Sequence, residues 1–182
     1  MVWRGSTTFQ DRFLACLPYL VPLLEVVGFG VFLFGLIPPL KILFLPLFLL
    51  LPIYFFSIGG FALVEFAIFF ALFLGVVRNE TLSRFLRFNT MQALLLAIFV
   101  YLCSAFMQLF NYSRPLLFPE FAAGTDGLAG LITAGAPLLI VGIIFSAIFL
   151  VIVGASVYAV VQSLRGQYAE IPLISEAARS QV

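Results

Sequence analysis

Long runs of apolar residues, each bounded by arginine, lysine or turn residues, dominate this chain. A helix needs about 20 apolar residues to cross the roughly 30 Å hydrocarbon layer of a bilayer, and most of these runs reach that length. The pattern predicts an all-α integral membrane protein, a single membrane domain over residues 1–182 with four transmembrane helices and one short re-entrant or interfacial segment. The predicted spans are about 13–37, 61–77, 90–110 and 132–161, and the short segment covers about 41–57.

The short segment decides whether the chain has four spans or five. Pro46 and Pro52 interrupt it, and Gly59 and Gly60 leave almost no loop before the next apolar run. Proline removes a backbone donor and disfavours a continuous helix, so we interpret 41–57 as re-entrant or interfacial. Four spans place both termini on the same face of the membrane.

The basic residues support this orientation. Four spans put seven arginines on the face of the termini and two basic residues on the other, whereas five spans divide them six to three. Basic residues concentrate in cytoplasmic loops, so both counts place the 78–89 loop and the C-terminus inside. The seven are Arg4, Arg12, Arg78, Arg84, Arg87, Arg165 and Arg179, and the two are Lys41 and Arg114.

Composition excludes most other classes of protein. Hydrophobic residues make up 64% of the chain and charged residues 9%, with a mean hydropathy of +1.22, which no soluble domain matches. The net charge of +1 does not suit a nucleic-acid partner. Histidine is absent, which removes the commonest general base and metal ligand. We therefore expect that the protein is not an enzyme and has no cofactor and no metal site.

Two glutamates inside predicted spans form a candidate intramembrane polar site. An acid at membrane depth is costly and usually faces the bundle interior, a partner or water, so Glu25 and Glu65 are candidates to share a polar site. Pro18, Tyr19 and Pro22 precede Glu25, and the prolines predict a bent or partly unwound first span beside a cavity. The alternative is that both acids are hydrogen-bonded structural residues without a further role.

Residues 78–89 predict a short interfacial helix. Asn79 is a suitable cap, Arg84 and Arg87 lie close together on its surface, and Phe85 and Phe88 are placed to dip toward lipid. Anchoring on anionic lipid and docking of a soluble partner both remain open. The candidate contacts at this face are Arg78, Asn79, Arg84, Arg87, Asn89, Arg165, Tyr168, Glu170 and Pro172.

Three sequence blocks, in this order, resemble one known family. They are DR, ACLPYL and PLLE within 11–25, VVRN and RFNTMQ within 76–92, and GQYAEIP and SEAA within 166–178. Together they resemble the twenty-kilodalton subunit family of the translocon at the inner chloroplast envelope (Tic), in its cyanobacterial and plastid-encoded form. The N-terminus carries no transit-peptide pattern, which also favours that form.

The resemblance implies a four-span protein with both termini on the stromal or cytoplasmic side, in a cyanobacterial plasma or thylakoid membrane or the plastid inner envelope. It further implies a non-enzymatic, channel-like core component of a preprotein translocation machinery. The expected partners are membrane lipids, other integral membrane subunits and a transiting polypeptide. The alternative is an assembly or scaffold subunit of a photosynthetic-membrane complex. A small-solute or ion channel is disfavoured, because few polar residues lie in the spans.

Overall fold

The computed structural model of the chain describes residues 8–117, 136–172 and 174–181, and for 110–117 and 136–139 it describes the backbone alone. Arg4, the side chain of Arg114 and the start of the predicted fourth span at 132–135 lie outside the described residues. Helices form most of the described chain, with one two-stranded hairpin. In chain order the helices and strands are α1 (Phe9–Cys16), α2 (Leu20–Val26), α3 (Val31–Leu36), α4 (Leu40–Leu43), α5 (Leu45–Tyr54), β1 (Ser57–Ile58), β2 (Phe61–Ala62), α6 (Leu63–Leu72), α7 (Arg84–Leu117), α8 (Ala136–Leu164) and α9 (Ile174–Gln181).

The first membrane segment, Phe9–Leu36, is helical throughout but changes its winding twice. Thr8 and Asp11 form a reciprocal capping box at its start. Tighter 3₁₀ turns at Leu17–Tyr19 and Val27–Gly30 separate α1, α2 and α3. Pro18 and Pro22 lack the N–H that an α-helix needs, which favours local rewinding at the first of these turns. The sequence predicted a bent or partly unwound span, and the structure shows a span that is helical throughout but departs from regular α-helix at these two turns.

The short segment at 41–57 is more regular than its prolines predict. It forms α4 and α5, which meet at Phe44, and Pro46 falls in the first turn of α5, where a missing N–H costs no helical bond. Only Pro52 lies in the helix interior. A correction to the all-α expectation follows α5, because β1 and β2 pair antiparallel through Gly59 and Gly60.

The prediction of an interfacial helix at 78–89 is wrong. Residues 78–83 form turns, and from Arg84 onward the chain already belongs to the long helix α7. Ser83 caps this helix by accepting a hydrogen bond from the Leu86 N–H (3.3 Å). Phe85 and Phe88 are 2% and 3% exposed, so they pack inside the protein instead of entering lipid.

The first segment and α8 run antiparallel. The Cys16 thiol lies 3.8 Å from the Val160 carbonyl oxygen, and the ring of Phe29 lies 5.0 Å from that of Phe145. Residue numbers therefore rise along one helix as they fall along the other. A Schellman turn at Gly166, with a φ of 72°, ends α8 and redirects the tail toward α9.

The first segment and α7 run parallel. Tyr19 bonds with Asn89, and Glu25 shares a cavity with Tyr101, so the numbers rise together. The starts of α1 and α7 and the end of α8 consequently lie together, at what we call the Asn89 end of the bundle. Because two segments run in the same direction, residues 37–83 must return the chain to the Asn89 end.

That return path is discontinuous. Its first part, α5, follows Phe44, which packs on Phe34 at the opposite end of the bundle (ring centroids 5.6 Å apart). It stops at Tyr54, which bonds Glu25 partway along the first segment. After the hairpin, α6 and a π-helical turn complete the return, and Val77 packs against the start of α7.

Three helical segments of the described chain are long and apolar enough to cross a membrane: Phe9–Leu36, Arg84–Leu109 and Ile140–Leu164. They correspond to the predicted spans at 13–37, 90–110 and 132–161. The predicted span at 61–77 contains the ten residues of α6 and five in the π turn. Those extend about 22 Å, which is shorter than the hydrocarbon layer. The count of four spans stays a prediction.

Candidate functional site

A cavity of about 370 Å³ opens where the return path is broken. It lies between the first segment, α5, the hairpin, α6 and α7, and most of its surface is apolar. Two carboxyl groups and two phenols supply its side-chain polar atoms. The lining residues are Val21, Glu25, Tyr54, Gly60, Phe61, Ala62, Glu65, Phe66, Phe69, Ala97, Ile98 and Tyr101.

Glu25 is the more buried of the two acids, with 9% of its surface exposed. The Tyr54 hydroxyl donates a 2.7 Å hydrogen bond to Glu25 Oε1, and Tyr54 itself is 3% exposed. The bond ties α5 to the first segment at the level where α5 ends. A charged or polar group at membrane depth requires such a partner, so this bond offsets part of the free-energy cost of burying Glu25.

Glu65 is half-buried and lies in the first turn of α6. The N-terminus of a helix carries partial positive charge from its unpaired N–H groups, which favours an acid there. No lysine or arginine is among the described residues that line the cavity. The cavity therefore presents acidic groups without an internal counter-charge.

The structure places Tyr19, Pro18 and Pro22 elsewhere than the cavity lining. Pro18 and Tyr19 are buried in the first 3₁₀ turn, and Pro22 is buried within α2. Glu25 and Glu65, in contrast, line the same cavity. The five residues of the predicted polar site thus divide between a cavity and a packed helix.

Tyr19 belongs to a buried polar network at the Asn89 end. Its hydroxyl shares one proton between Asn89 Oδ1 (3.2 Å) and Gln92 Oε1 (3.1 Å). Ser163 donates to Asn89 Oδ1 (3.0 Å), and Asn89 Nδ2 donates to the Phe85 carbonyl (2.9 Å). Tyr19, Asn89, Gln92 and Ser163 are all 0% exposed. The network joins the first segment, α7 and α8 where they meet.

Gln92 extends this network to the C-terminal tail. Its Nε2 donates to the Ala169 carbonyl (3.2 Å) and to Ser175 Oγ (3.3 Å), and Ser175 donates to the Ile171 carbonyl (2.6 Å). On the outside, Arg179 forms a 2.6 Å ion pair with Glu170. The tail after α8 is therefore fixed onto the Asn89 end, with Pro172 exposed beside it.

Tyr168 fills a space between two rings of α7. Its ring centroid lies 5.3 Å from Phe85 and 5.2 Å from Phe88, both edge to face. Burial raises the pKa of the Tyr168 phenol, and the positive charge of Arg84 opposes that rise. Tyr168 is thus a packing residue of the tail.

The predicted basic contacts differ in their settings. Arg78 and Arg165 are exposed. Arg87 is partly buried, and its Nε donates to the Val77 carbonyl (2.9 Å), which satisfies the end of the π turn. Asn79 accepts from the N–H and hydroxyl of Thr81 (3.0 and 2.6 Å) and so shapes the turn before α7.

Several residues of both sites were missed by sequence reasoning. Tyr54 is the only polar residue of α5. This could have identified Tyr54 as a partner for an intramembrane acid. Gln92 follows Asn89 by three residues on an apolar helix, a spacing that places both on one face. Ser163 and Ser175 carry no such signal, because serine is common in both helices and tails.

Comparison with known proteins assigns the chain to a single family. The family described as "Chloroplast import apparatus Tic20-like" matches residues 6–119. A Tic20 family protein of Synechocystis sp. is 38% identical over 182 residues, covering all of this chain and 99% of the relative. Protein TIC 20-II, chloroplastic, of Arabidopsis thaliana is 31% identical, covering 97% of this chain and 74% of the relative. The Tic20 family protein Ycf60 of Porphyra purpurea is 30% identical, covering 98% and 79%.

These relatives are cyanobacterial, chloroplast and plastid proteins, and they match this chain over almost its whole length. The described residues include three apolar helices long enough to cross a bilayer. The sequence blocks that suggested the resemblance contain Tyr19, Asn89, Gln92, Ala169 and Ser175, which the fold brings together in one network. The chain is an integral membrane protein and belongs to the Tic20 family.

Proposed function

We propose that this chain is a non-enzymatic membrane subunit of a preprotein translocation machinery, in which the acid-lined cavity borders the path of the transiting polypeptide. The observation that carries the proposal is the placement of Glu25 and Glu65 in one cavity within the membrane-embedded bundle. Family membership supplies the class of machinery, since the matching family is described as part of an import apparatus.

The size of the cavity limits what one chain does alone. About 370 Å³ suits a small ligand or a few side chains. An extended polypeptide rises about 3.3 Å per residue and needs about nine residues to cross the hydrocarbon layer. The cavity by itself is too small for that length. The chain therefore contributes one wall of a path that further subunits or lipid complete.

The proposed topology has four crossings with both termini on the cytoplasmic or stromal face. Parallel packing of the first segment with α7 supports it, because the chain between them must return to the Asn89 end. In this topology α5, the hairpin and α6 form the second crossing together. Discontinuous helices of this kind occur in membrane proteins where irregular backbone lines a cavity.

The arrangement also supports a role without catalysis. Neither acid of the cavity is paired with a histidine, since the chain has none, and no nucleophile with an adjacent base is present among the lining residues. The proposed partners are lipids, other membrane subunits and the transiting chain.

The second candidate is an assembly or scaffold subunit. The tail fixed by Gln92 and the exposed arginines at the Asn89 end favour it, because together they present a rigid polar surface to a partner. This role requires no contact between the cavity and a transiting polypeptide, and that difference separates the two candidates.

Site-specific photocrosslinking tests the proposal. Phe66 and Tyr101 line the cavity and are 50% and 57% exposed, so a photoreactive residue fits at either position. Val151 of α8 is 65% exposed and does not line the cavity, which makes it the matched control. Tyr19 is unsuitable because it is fully buried. In native membranes with a stalled precursor, we expect adducts to the precursor from Phe66 and Tyr101 and not from Val151.

Adducts from the cavity positions to resident membrane subunits alone, with none to the precursor, would contradict the translocation role. That outcome would leave the scaffold role standing.

A further inference from the structure

We propose that strand β2 is a docking edge for an extended, basic segment of polypeptide, which adds to the hairpin as a further strand and places a lysine or arginine side chain in the acid-lined cavity. The proposal rests on the proposed function and specifies how the transiting chain is held. It also predicts which chemical features of that chain matter: an extended backbone and a positive charge.

The hairpin has a regular hydrogen-bond pattern. Gly59 and Gly60 take φ values of 61° and 83°, which a two-residue type I′ turn requires at both central positions. Ile58 and Phe61 pair next to this turn, and the Leu63 N–H donates to the Phe56 carbonyl (3.2 Å).

Ser57 and Ala62 face each other between those two bonded pairs. In an antiparallel ladder such a pair directs its backbone groups away from the opposite strand. The Ser57 N–H and the Ala62 N–H consequently point outward, one on each edge. Within the part of the chain that the structure describes, neither has a hydrogen-bond acceptor.

These groups lie at membrane depth. Phe61 and Ala62 line the same cavity as Ala97, which is about 20 Å along α7 from Arg84 at the helical rise. Ile58 and Phe61 are 60% and 51% exposed, so the hairpin surface is apolar and suits lipid. An open sheet edge is not stable against hydrocarbon, because its N–H and C=O groups have no partner there. Something with a polar backbone must cover this edge.

Charge indicates which occupant fits. Side chains of an added strand alternate between two faces, so residues two apart along it point the same way. A basic side chain directed into the cavity meets Glu65 and Glu25, which have no internal counter-charge. The hairpin of a second copy is disfavoured, since it would bring two further acids to the same place. A lipid tail supplies neither hydrogen bonds nor charge.

Ala62→Pro removes the outward N–H while changing little else. Ala62 already has a φ of −74°, within the range that proline imposes, and it precedes α6, where proline is tolerated. The preceding residue, Phe61, is in a strand, which is the conformation that a following proline favours. Ala62→Val is the matched control, because it enlarges the side chain and keeps the N–H.

Disulfide mapping in native membranes tests the geometry. The full chain carries Phe61→Cys in a background without Cys16 and Cys103, and a precursor stalled by a folded C-terminal domain carries one cysteine at each of ten successive positions in turn. Disulfides require β-carbons about 4 Å apart, so only precursor residues that face Phe61 react. A second precursor series exchanges its lysines for glutamine.

We expect crosslinking to alternate with a period of two residues along the precursor. Ala62→Pro should give roughly fivefold less crosslinking than Ala62→Val, the effect of one lost hydrogen bond. The glutamine series should crosslink less than the lysine series, and Glu65→Gln should reduce that difference.

A helical period near 3.6, an absence of periodicity, or equal yields with Ala62→Pro and Ala62→Val would overturn the docking edge. Disulfides between two copies through Phe61→Cys, without precursor, would overturn the choice of occupant. The period is measured without Ala62→Pro, so the test does not depend on the folding of that variant. Precursor adducts from Tyr101 would persist in these cases, which distinguishes failure of the docking edge from failure of the proposed function.

Discussion

Asn89 is the side chain through which three helices meet, and its replacement tests whether the polar network holds the bundle together. Asn89→Leu keeps the branching at Cγ and removes all polar atoms. It breaks the bonds from Tyr19 (3.2 Å) and Ser163 (3.0 Å) and the bond to the Phe85 carbonyl (2.9 Å). Tyr19 retains Gln92 as an acceptor, whereas Asn89 is the one acceptor seen for Ser163 among the described residues.

The magnitude follows from the kind of bond that is lost. Interhelical hydrogen bonds in membrane proteins contribute about 0.6 kcal/mol on average and up to about 1.7 kcal/mol. Two such bonds and one orphaned, fully buried hydroxyl give an expected loss of about 1–3 kcal/mol in the free energy of unfolding. The loss should be larger than that of any change to an unpartnered polar group in the same part of the bundle.

Thr90 supplies the matched control on the adjacent position. It is also 0% exposed, yet its Oγ1 has no hydrogen-bond partner among the described residues. Thr90→Val keeps the shape and removes a buried hydroxyl that is not bonded. We expect a change within about 0.5 kcal/mol, or a gain in stability, because no partner is orphaned.

Unfolding of the purified protein in mixed micelles, followed by helix content as the denaturing detergent is increased, measures both variants against the parent chain. Equal losses for Asn89→Leu and Thr90→Val would refute the reasoning, since they would show that removing a bonded polar group costs no more than removing an unbonded one. A loss restricted to Asn89→Leu supports the network.

Three further predictions concern the cavity, the topology and the tail. Glu25→Leu should lower the free energy of unfolding by about 1–2 kcal/mol by orphaning the Tyr54 hydroxyl, and a double-mutant cycle with Tyr54→Phe should recover most of that cost. In a cysteine-free background, single cysteines at Ser83 and Ser180 should react with an impermeant reagent from the cytoplasmic or stromal face alone, and reaction from opposite faces would disprove the topology. Because the pKa of Tyr168 is higher in the folded chain than in the unfolded chain, this residue contributes stability that is fully present below about pH 10 and is lost as the pH rises further. Tyr168→Phe should therefore lose less stability at alkaline pH.

The sequence by itself showed that this protein folds in a lipid bilayer. Long apolar runs at 13–37, 90–110 and 132–161 satisfy the length that a bilayer demands, and three helices in the structure follow them. Prolines at 18 and 22 act on their own backbone neighbours, so the interrupted winding of the first segment was also predictable. Ordered sequence blocks were sufficient to identify the family.

Tertiary structure decided which residues meet. Phe85 and Phe88 mark an apolar face at the start of α7, but periodicity alone could not show that this face meets the tail instead of lipid. The bond between Glu25 and Tyr54 joins residues 29 apart in sequence, and that between Tyr19 and Asn89 joins residues 70 apart. Such pairings depend on how helices pack, which local propensity does not encode.

Residues 37–83 show most clearly what the sequence could predict and what only the tertiary structure decided. Gly59 and Gly60 indicate a tight connection in the sequence, but only the parallel packing of the first segment and α7 requires residues 37–83 to return across the bundle. The return is made by helices too short to cross alone, so their ends and the hairpin lie partway along the bundle. The sequence predicted a cavity beside the first segment, but the five segments that meet to form it were decided by tertiary packing.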